Sequence, residues 1–400
     1  MNATTIAAAT LAHAPFKQFS TEEMVAAFLL YGLISSLAVF GNLLTVYIIL
    51  TGEKMKNVTN YLIMNLAVGD FLTALLGIPL KAQAAITQKW LFPRFACQLS
   101  PFLETVTLTV SVCTLTVLAV DRVRSISYPD LLQPTICTAR VVVVAIWLFA
   151  TVLSLPYGIL HQIEEDVITS VWRCMPLYQN NDYWHAYNVL LTIVQYFVPL
   201  ILFDGAYLYI GYKVFTAHDA APKGFSAKRT ARYIRNRKKV ITMLIIVVIA
   251  FTFCWLPYEL YLLADEVPSI ADAVNSYYYI VYLWTALHLL AMSNACLNPI
   301  IYYIFNERFK REYKIAVRHL LCCSQSSDSV DGKSDDFPDE TEGDVRRVPS
   351  VDVAAAEPFL AGPGGLRRCL RRPTFDAAQY IASELGTETS PCQRPRALQF

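Results

Sequence analysis

The chain has 400 residues, 55% of them hydrophobic and 16% charged, with a formal net charge of +1. A soluble domain is usually nearer a quarter charged, and so balanced a charge argues against nucleic acid as a partner. The ten cysteines are too scattered for a zinc site and too few for a disulfide framework.

Residues 1–23 read as a short tail in which Asn2-Ala3-Thr4 is a glycosylation sequon. The opening MNATTIAAATLAHAPFKQFSTEE lacks a basic segment followed by an apolar one, so no cleavable signal peptide is expected. Met24 to Gly52 then runs 29 residues without a charge, more than the ~20 needed to cross a bilayer as a helix. Comparable runs follow at about 58–80, 97–120, 141–160, 183–212, 240–264 and 276–305. Seven spans put the two chain ends on opposite sides of a membrane, and the fold class is an all-α bundle over residues 24–305. No internal repeat of the inverted-transporter kind is visible.

The loops set the orientation. Lys213 to Lys239 holds nine basic residues against Asp219, and Glu307 to Arg318 adds five more. Lys- and Arg-rich loops stay in the cytoplasm, so the N-terminus is expected outside. Asn57-Val58-Thr59 is also a sequon, but on the cytoplasmic side, where it would not be used. The acidic residues Asp265, Glu266 and Asp272 then lie in an outer loop, as do Glu164, Glu165, Asp166 and Asp182. Residues 306–323 alternate apolar and basic positions at helical spacing, with Phe309, Tyr313, Ala316, Val317 and Leu320 on one face. That is the pattern of a helix lying on the membrane surface, and Cys322-Cys323 at its end suits palmitoylation. Residues 324–400 read as a disordered tail, in which Ser324, Ser326, Ser327, Ser329 and Ser334 lie among acids.

On a helix, separations of 7, 11 and 18 return to one face. Glu104, Ser111 and Arg122 therefore share a stripe in span 3, and Asp70 and Lys81 share one in span 2. Phe251, Trp255, Glu259 and Glu266 follow one another around Pro257 in span 6. Trp284, His288, Ala295, Asn298 and Tyr302 do so in span 7, with Pro299 breaking the backbone. Ionisable groups at membrane depth face the bundle interior or water. The stripes predict an outer cavity bearing Lys81, Glu104, Glu259, Trp284 and His288, where Tyr258 would pack on a ligand beside Trp284, and a deeper polar cluster of Asp70, Ser111, Asn294 and Asn298.

These residues, in this order, resemble the rhodopsin-like G-protein-coupled receptors over roughly residues 25–323. The marks are Gly41-Asn42, Leu66-Ala67-Val68-Gly69-Asp70, Asp121-Arg122-Val123, Trp147, Pro199 with Tyr207, Phe251-x-x-Cys254-Trp255-Leu256-Pro257 and Asn298-Pro299-x-x-Tyr302. The family usually has Tyr where Val123 stands. The resemblance implies a Cys97–Cys174 disulfide over the cavity and a sodium site at Asp70, Ser111, Asn294 and Asn298, with no other cofactor. It implies switch roles for Phe251, Trp255, Pro257, Asn298, Pro299, Tyr302 and Tyr207, and G-protein coupling through Asp121 and Arg122. Its partners are an extracellular ligand, a heterotrimeric G protein, arrestin, receptor kinases and membrane lipid at the plasma membrane.

Within the family, His288-Leu-Leu-Ala-Met-Ser-Asn, Asn306-Glu-Arg-Phe-Lys-Arg and Trp90-x-Phe92 resemble neuropeptide receptors of the tachykinin, neuropeptide Y and RFamide type. The leading expectation is a receptor for a peptide with a basic, amidated C-terminus, met by Glu104 and Glu259 and steered by Asp265 and Glu266. Glu104 has a plainer reading, a structural pair with Lys81. The alternative function is a biogenic amine receptor with Glu104 as counter-ion, weakened by Met292 where amine receptors carry Tyr. A light sensor needs a Schiff-base lysine, and none lies between 240 and 305. A conducting pathway would be plugged by Phe251 and Trp255. No catalytic constellation is present, so no enzyme is expected.

Overall fold

The computed structural model describes residues 17–52, 55–128, 134–166, 170–178, 181–216 and 227–324. Asn2, Ser326, Ser327, Ser329 and Ser334 lie outside them. Among the described residues, seven helices are long and apolar enough to cross a membrane. Span 1 is Thr21–Thr51, span 2 Val58–Thr87, span 3 Arg94–Ser127 and span 4 Ile136–Leu160. Span 5 runs from Asp182 to Thr216, span 6 is Ala227–Asp265 and span 7 is Ile280–Phe305. A short helix, Pro268–Asn275, joins spans 6 and 7, and a terminal helix, Glu307–Ser324, follows span 7.

Local chemistry fixes several ends. Ser20 and Glu23 close a reciprocal capping box that starts span 1, so the helix takes in three residues expected in the tail. Asn57 caps span 2, its Oδ1 accepting from the Asn60 amide at 2.9 Å, and the Thr59 hydroxyl accepts from Arg122. Both polar residues of the second sequon are therefore structural. Span 6 begins 13 residues before its apolar run, because the basic stretch ahead of it is helical too.

Span 3 is the axis. It packs on spans 2, 4 and 5 and buries 67% of its most apolar window, against 17% for span 4. Asn65 of span 2 donates to Thr114 of span 3 at 2.8 Å and accepts from Trp147 Nε1 of span 4 at 2.8 Å. One amide thus joins three helices.

The prolines explain most departures from ideal helix. A π turn, Thr73–Gly77, sits just before Pro79, and another, Ile193–Phe197, just before Pro199. A wider turn relieves the clash between a proline ring and the carbonyl four residues earlier. The first π turn also corrects the stripe expected in span 2. It inserts about one extra residue between Asp70 and Lys81, so their separation of 11 no longer returns to one face.

Pro299 is accommodated differently. It has no N–H for the Ala295 carbonyl, and Asn42 Nδ2 of span 1 donates to that carbonyl at 2.8 Å. Gly41 makes the approach possible, since a Cβ there would stand 2.9 Å from the Pro299 ring. The Gly41-Asn42 pair and the Asn298-Pro299 pair are thus one device. Asn42→Leu should leave a buried carbonyl unpaired, at about 1–3 kcal/mol, and lower the melting temperature of purified protein by several degrees. An unchanged melting temperature would show that water replaces the amide.

The amphipathic terminal helix uses its apolar face on the protein more than on lipid. Phe309, Tyr313 and Ala316 are buried, Phe309 against Tyr302 with ring centroids 5.4 Å apart. Tyr313 bonds to the Thr45 hydroxyl at 2.5 Å. Val317, expected on that face, is 40% exposed. Cys322 and Cys323 fall in its last turn.

Candidate functional site

A β-hairpin between spans 4 and 5 covers one end of the bundle. Its strands β1 (His161–Asp166) and β2 (Val171–Pro176) pair antiparallel, with Glu164 opposite Arg173. Cys174 of β2 is bonded to Cys97 at the start of span 3. The Trp90 amide donates to the Trp172 carbonyl at 2.8 Å, and Trp90, Ala96 and Cys97 form a small core beneath the hairpin.

Below the hairpin, spans 1, 2, 3, 6 and 7 bring the expected polar groups together. Lys81 Nζ is 2.8 Å from Glu104 Oε2, and His288 Nε2 is 3.9 Å from Glu104 Oε1. Trp284 and His288, one turn apart, stack at 4.7 Å with an interplanar angle of 11°. Tyr258 meets both rings edge-on, at 6.0 and 5.4 Å. Tyr31 of span 1 is a member the stripes did not supply. Its hydroxyl is 2.8 Å from His288 Nδ1. It lies 11 residues before Asn42, the same-face separation used elsewhere, so the signal was present.

The two carboxylates differ. Glu104 has Lys81, whereas Glu259 is 4% exposed and has neither an ion-pair nor a hydrogen-bond partner among the described residues, its carboxyl oxygens keeping a little accessible surface. Leaving a carboxyl so placed is costly unless something pairs with it or protonates it. Glu266, expected in the outer field, instead turns into the protein. It accepts from Asn188 Nδ2 at 2.7 Å and lies 2.6 Å from His185 Nδ1, tying span 6 to span 5. Asp265 is also engaged. Glu164, Glu165 and Asp182 are exposed.

Deeper, Phe251 stacks on Trp255 at 6.2 Å and contacts Tyr196 and Phe203 of span 5. Pro257 lies within the helix two residues beyond Trp255. Beneath Trp255 a small cavity is lined by Asp70, Thr107, Ser111, Asn294 and Ala295. Asn298 Nδ2 donates to Asp70 Oδ2 at 2.7 Å, and Oδ1 of both Asn294 and Asn298 is buried without a partner. The donor set is all oxygen, with one carboxylate and orphaned carbonyls, which fits a hard monovalent cation. Asp204 of span 5 lies beside Thr252 of span 6, away from this cluster.

At the opposite end Arg122 is held by Asp121 at 2.5 Å and by Thr59. Tyr207 and Tyr302 are buried nearby in the core. A cavity of about 660 Å³ opens there, lined by Arg122, Ile126, Lys239, Met243, Asn306 and Arg308 among others. Lys239 of span 6 reaches Glu307 of the terminal helix at 3.1 Å across its rim.

Residues 41–302 match the family described as 7 transmembrane receptor (rhodopsin family). The chain belongs to that family. This receptor is accordingly a multi-pass protein of the plasma membrane, and its family consists of receptors rather than enzymes. It is 31% identical over 304 residues to the Tachykinin-like peptides receptor 99D of Drosophila melanogaster, which covers 73% of this chain and 57% of that one. It is 31% identical over 298 residues to the Substance-P receptor of Mus musculus, covering 73% and 70%. It is 31% identical over 310 residues to the RYamide receptor of Tribolium castaneum, covering 74% and 82%. The receptor thus spans little more than half the length of the Drosophila relative.

Proposed function

We propose that the receptor binds an extracellular neuropeptide through a cationic, amidated end and signals through a heterotrimeric G protein, with the hairpin end and N-terminus outside. One observation carries the cationic part: Glu259, 4% exposed and without a partner among the described residues, lies within electrostatic reach of Glu104 and the Tyr258 hydroxyl. An arginine suits such a place, because its planar fork can engage a carboxylate and stack on an aromatic ring. The relatives' names support a peptide, since they refer to tachykinin-like peptides, substance P, neuromedin K and RYamide. The amine reading is weaker here, because Lys81 already occupies the counter-ion it would use. A calcium or cyclic-AMP reporter screened against amidated peptides and amines tests the choice. Activation by amines and by none of the peptides would reverse it.

The cavity around Arg122 is where we place the G protein. Ligand would favour a conformation with span 6 displaced outward, a population shift set by differential affinity. That motion would part Lys239 from Glu307. We also assign a sodium ion to Asp70, Ser111, Asn294 and Asn298, stabilising the inactive state by supplying a positive charge to Asp70. Asp70→Asn removes the one formal charge of that cluster. Agonist affinity in the variant should then be insensitive to replacing sodium with a large organic cation, whereas the wild type should respond. Equal responses would remove the ion from the account.

The remaining assignments rest on sequence. Asn2 would carry glycan, Cys322 and Cys323 palmitate anchored in lipid, and the tail serines phosphate from receptor kinases, each adding about −1.5 to −2 charges for arrestin. Truncation after Cys323 should leave G-protein signalling and slow internalisation. Unaltered internalisation would place arrestin binding elsewhere.

A further inference from the structure

The segment before span 1 does not leave the bundle freely. The Lys17 amide donates to the Tyr278 carbonyl at 2.8 Å, and Phe19 packs on Tyr282 with centroids 4.4 Å apart. The Lys17 ammonium lies 5.6 Å from the centre of the Tyr279 ring, 5.0 Å from that of Tyr282 and 3.6 Å from Glu23 Oε1. The two rings stand at 75° to one another, 5.9 Å apart, so they form two walls of a corner. Glu23 is fixed as the third wall, because its Oε2 accepts from the Tyr282 hydroxyl at 2.7 Å and from the Ser20 amide at 2.8 Å. Its other oxygen is left for the cation.

Aromatic faces and a carboxylate around a cation make up a recognisable recognition chemistry. The Lys17 ammonium is correspondingly held above its usual range by the Tyr282 hydroxyl and the Glu23 carboxylate, although burial opposes this. Lys17 and Glu23 are 39% and 38% exposed, so the corner is open to solvent and its occupant can exchange. A structural clasp needs no such opening. A site that is only loosely filled does.

The corner also lies in register with the buried cluster. Tyr282 precedes His288 by six residues on span 7, a rise of about 9 Å. Tyr31, which bonds to His288, also reaches the Thr285 carbonyl between them. An extended peptide advances about 3.3 Å per residue. A peptide whose anchoring end lies level with His288 would therefore bring its third residue upstream level with the corner.

We propose that Glu23, Tyr279 and Tyr282 form a second cation subsite, filled in cis by Lys17 in the free receptor and taken over by a basic side chain of the peptide about three residues before its anchoring end. The identity of the incoming group rests on the cationic-peptide reading; the site itself does not.

The probe that tests it is Nα-acetyl-arginine amide, followed by saturation-transfer NMR on full-length purified receptor. Lys17→Ala should vacate the subsite and raise saturation transfer to the guanidinium side chain several-fold over wild type. Adding Tyr279→Ala and Tyr282→Ala should abolish the gain, and Tyr282→Phe, which keeps the ring, should retain most of it. The gain should survive in a Glu104→Gln/Glu259→Gln background, which separates this site from the buried cluster. No gain on Lys17→Ala, or a gain lost with the buried carboxylates, would overturn the proposal. The Glu259 reading would be untouched by the first result, because it is tested by agonist affinity alone.

Discussion

Glu259→Gln should weaken a cationic peptide agonist by roughly thirty- to several-thousand-fold, the equivalent of about 2–5 kcal/mol for losing one partner of a desolvated charge pair. Glu104→Gln should cost less. The difference follows from what each carboxyl already touches. Glu104 is 2.8 Å from Lys81, so much of its charge is neutralised before any ligand arrives. Glu259 has no such neighbour and is 4% exposed. The effect on the protein alone should run the other way. Glu259→Gln removes a carboxyl whose ionisation in a buried place nothing compensates, so the unliganded receptor should be at least as stable and reach the cell surface normally. Glu104→Gln strands the Lys81 ammonium and should lower the melting temperature. Radioligand competition with surface staining reads both effects. Normal agonist affinity in Glu259→Gln would mean that the peptide's cation is met elsewhere.

The bundle was readable because bilayer-spanning helices cannot carry charge freely, and the charge-free runs mark them directly. The inward stripes were readable for a related reason. Trp284 and His288 are one turn apart and do stack, and Asp70 and Asn298 are bonded although 228 residues separate them. What the spacing rule missed came from places where the helix is not regular. The π turn at Thr73–Gly77 changes the phase of Lys81, and Lys81 reaches Glu104 with a long side chain rather than by sharing a face with Asp70. The hairpin at His161–Pro176 is not legible in the sequence, since its strands are six residues each and read as part of an ordinary loop between two spans. Glu266 reads in sequence as part of an acidic field, because its neighbours there do not reveal His185 and Asn188, which come from another span. Basic character ended the expected span 6 at its apolar edge, while helical propensity carried it 13 residues further. Periodicity reports the regular backbone; long side chains and tertiary partners decide the rest.

Cys174→Ser should abolish high-affinity peptide binding and sharply reduce the amount of receptor at the cell surface. The bond joins residues 77 apart, and the chain-entropy treatment gives about 4–5 kcal/mol for a loop of that size. That is an upper value, because spans 3 and 4 inserted in a bilayer already restrain the ends. Two further tethers bear on how much survives: the Trp90 amide on the Trp172 carbonyl, and the Leu177 amide on the Leu160 carbonyl at 2.7 Å. The second holds the hairpin's root to span 4 and says nothing about its position over span 3. The first is a single hydrogen bond, worth about 0.5–1.5 kcal/mol net, too little to fix a hairpin with Glu164 on one strand and Arg173 on the other above the buried cluster. Without the disulfide, β2 would therefore sample positions away from Lys81 and Glu104, and a peptide would lose the lid that excludes water from its charged end. A membrane-impermeant reductant applied to intact cells should reproduce the binding loss in wild type within minutes, because under the proposed orientation the bond faces outside. It should leave receptor already at the surface in place, which separates the lid's part in binding from its part in folding. Full affinity after reduction, with both thiols shown to be free, would mean that the hairpin is held by its backbone contacts and that the bond matters only during assembly.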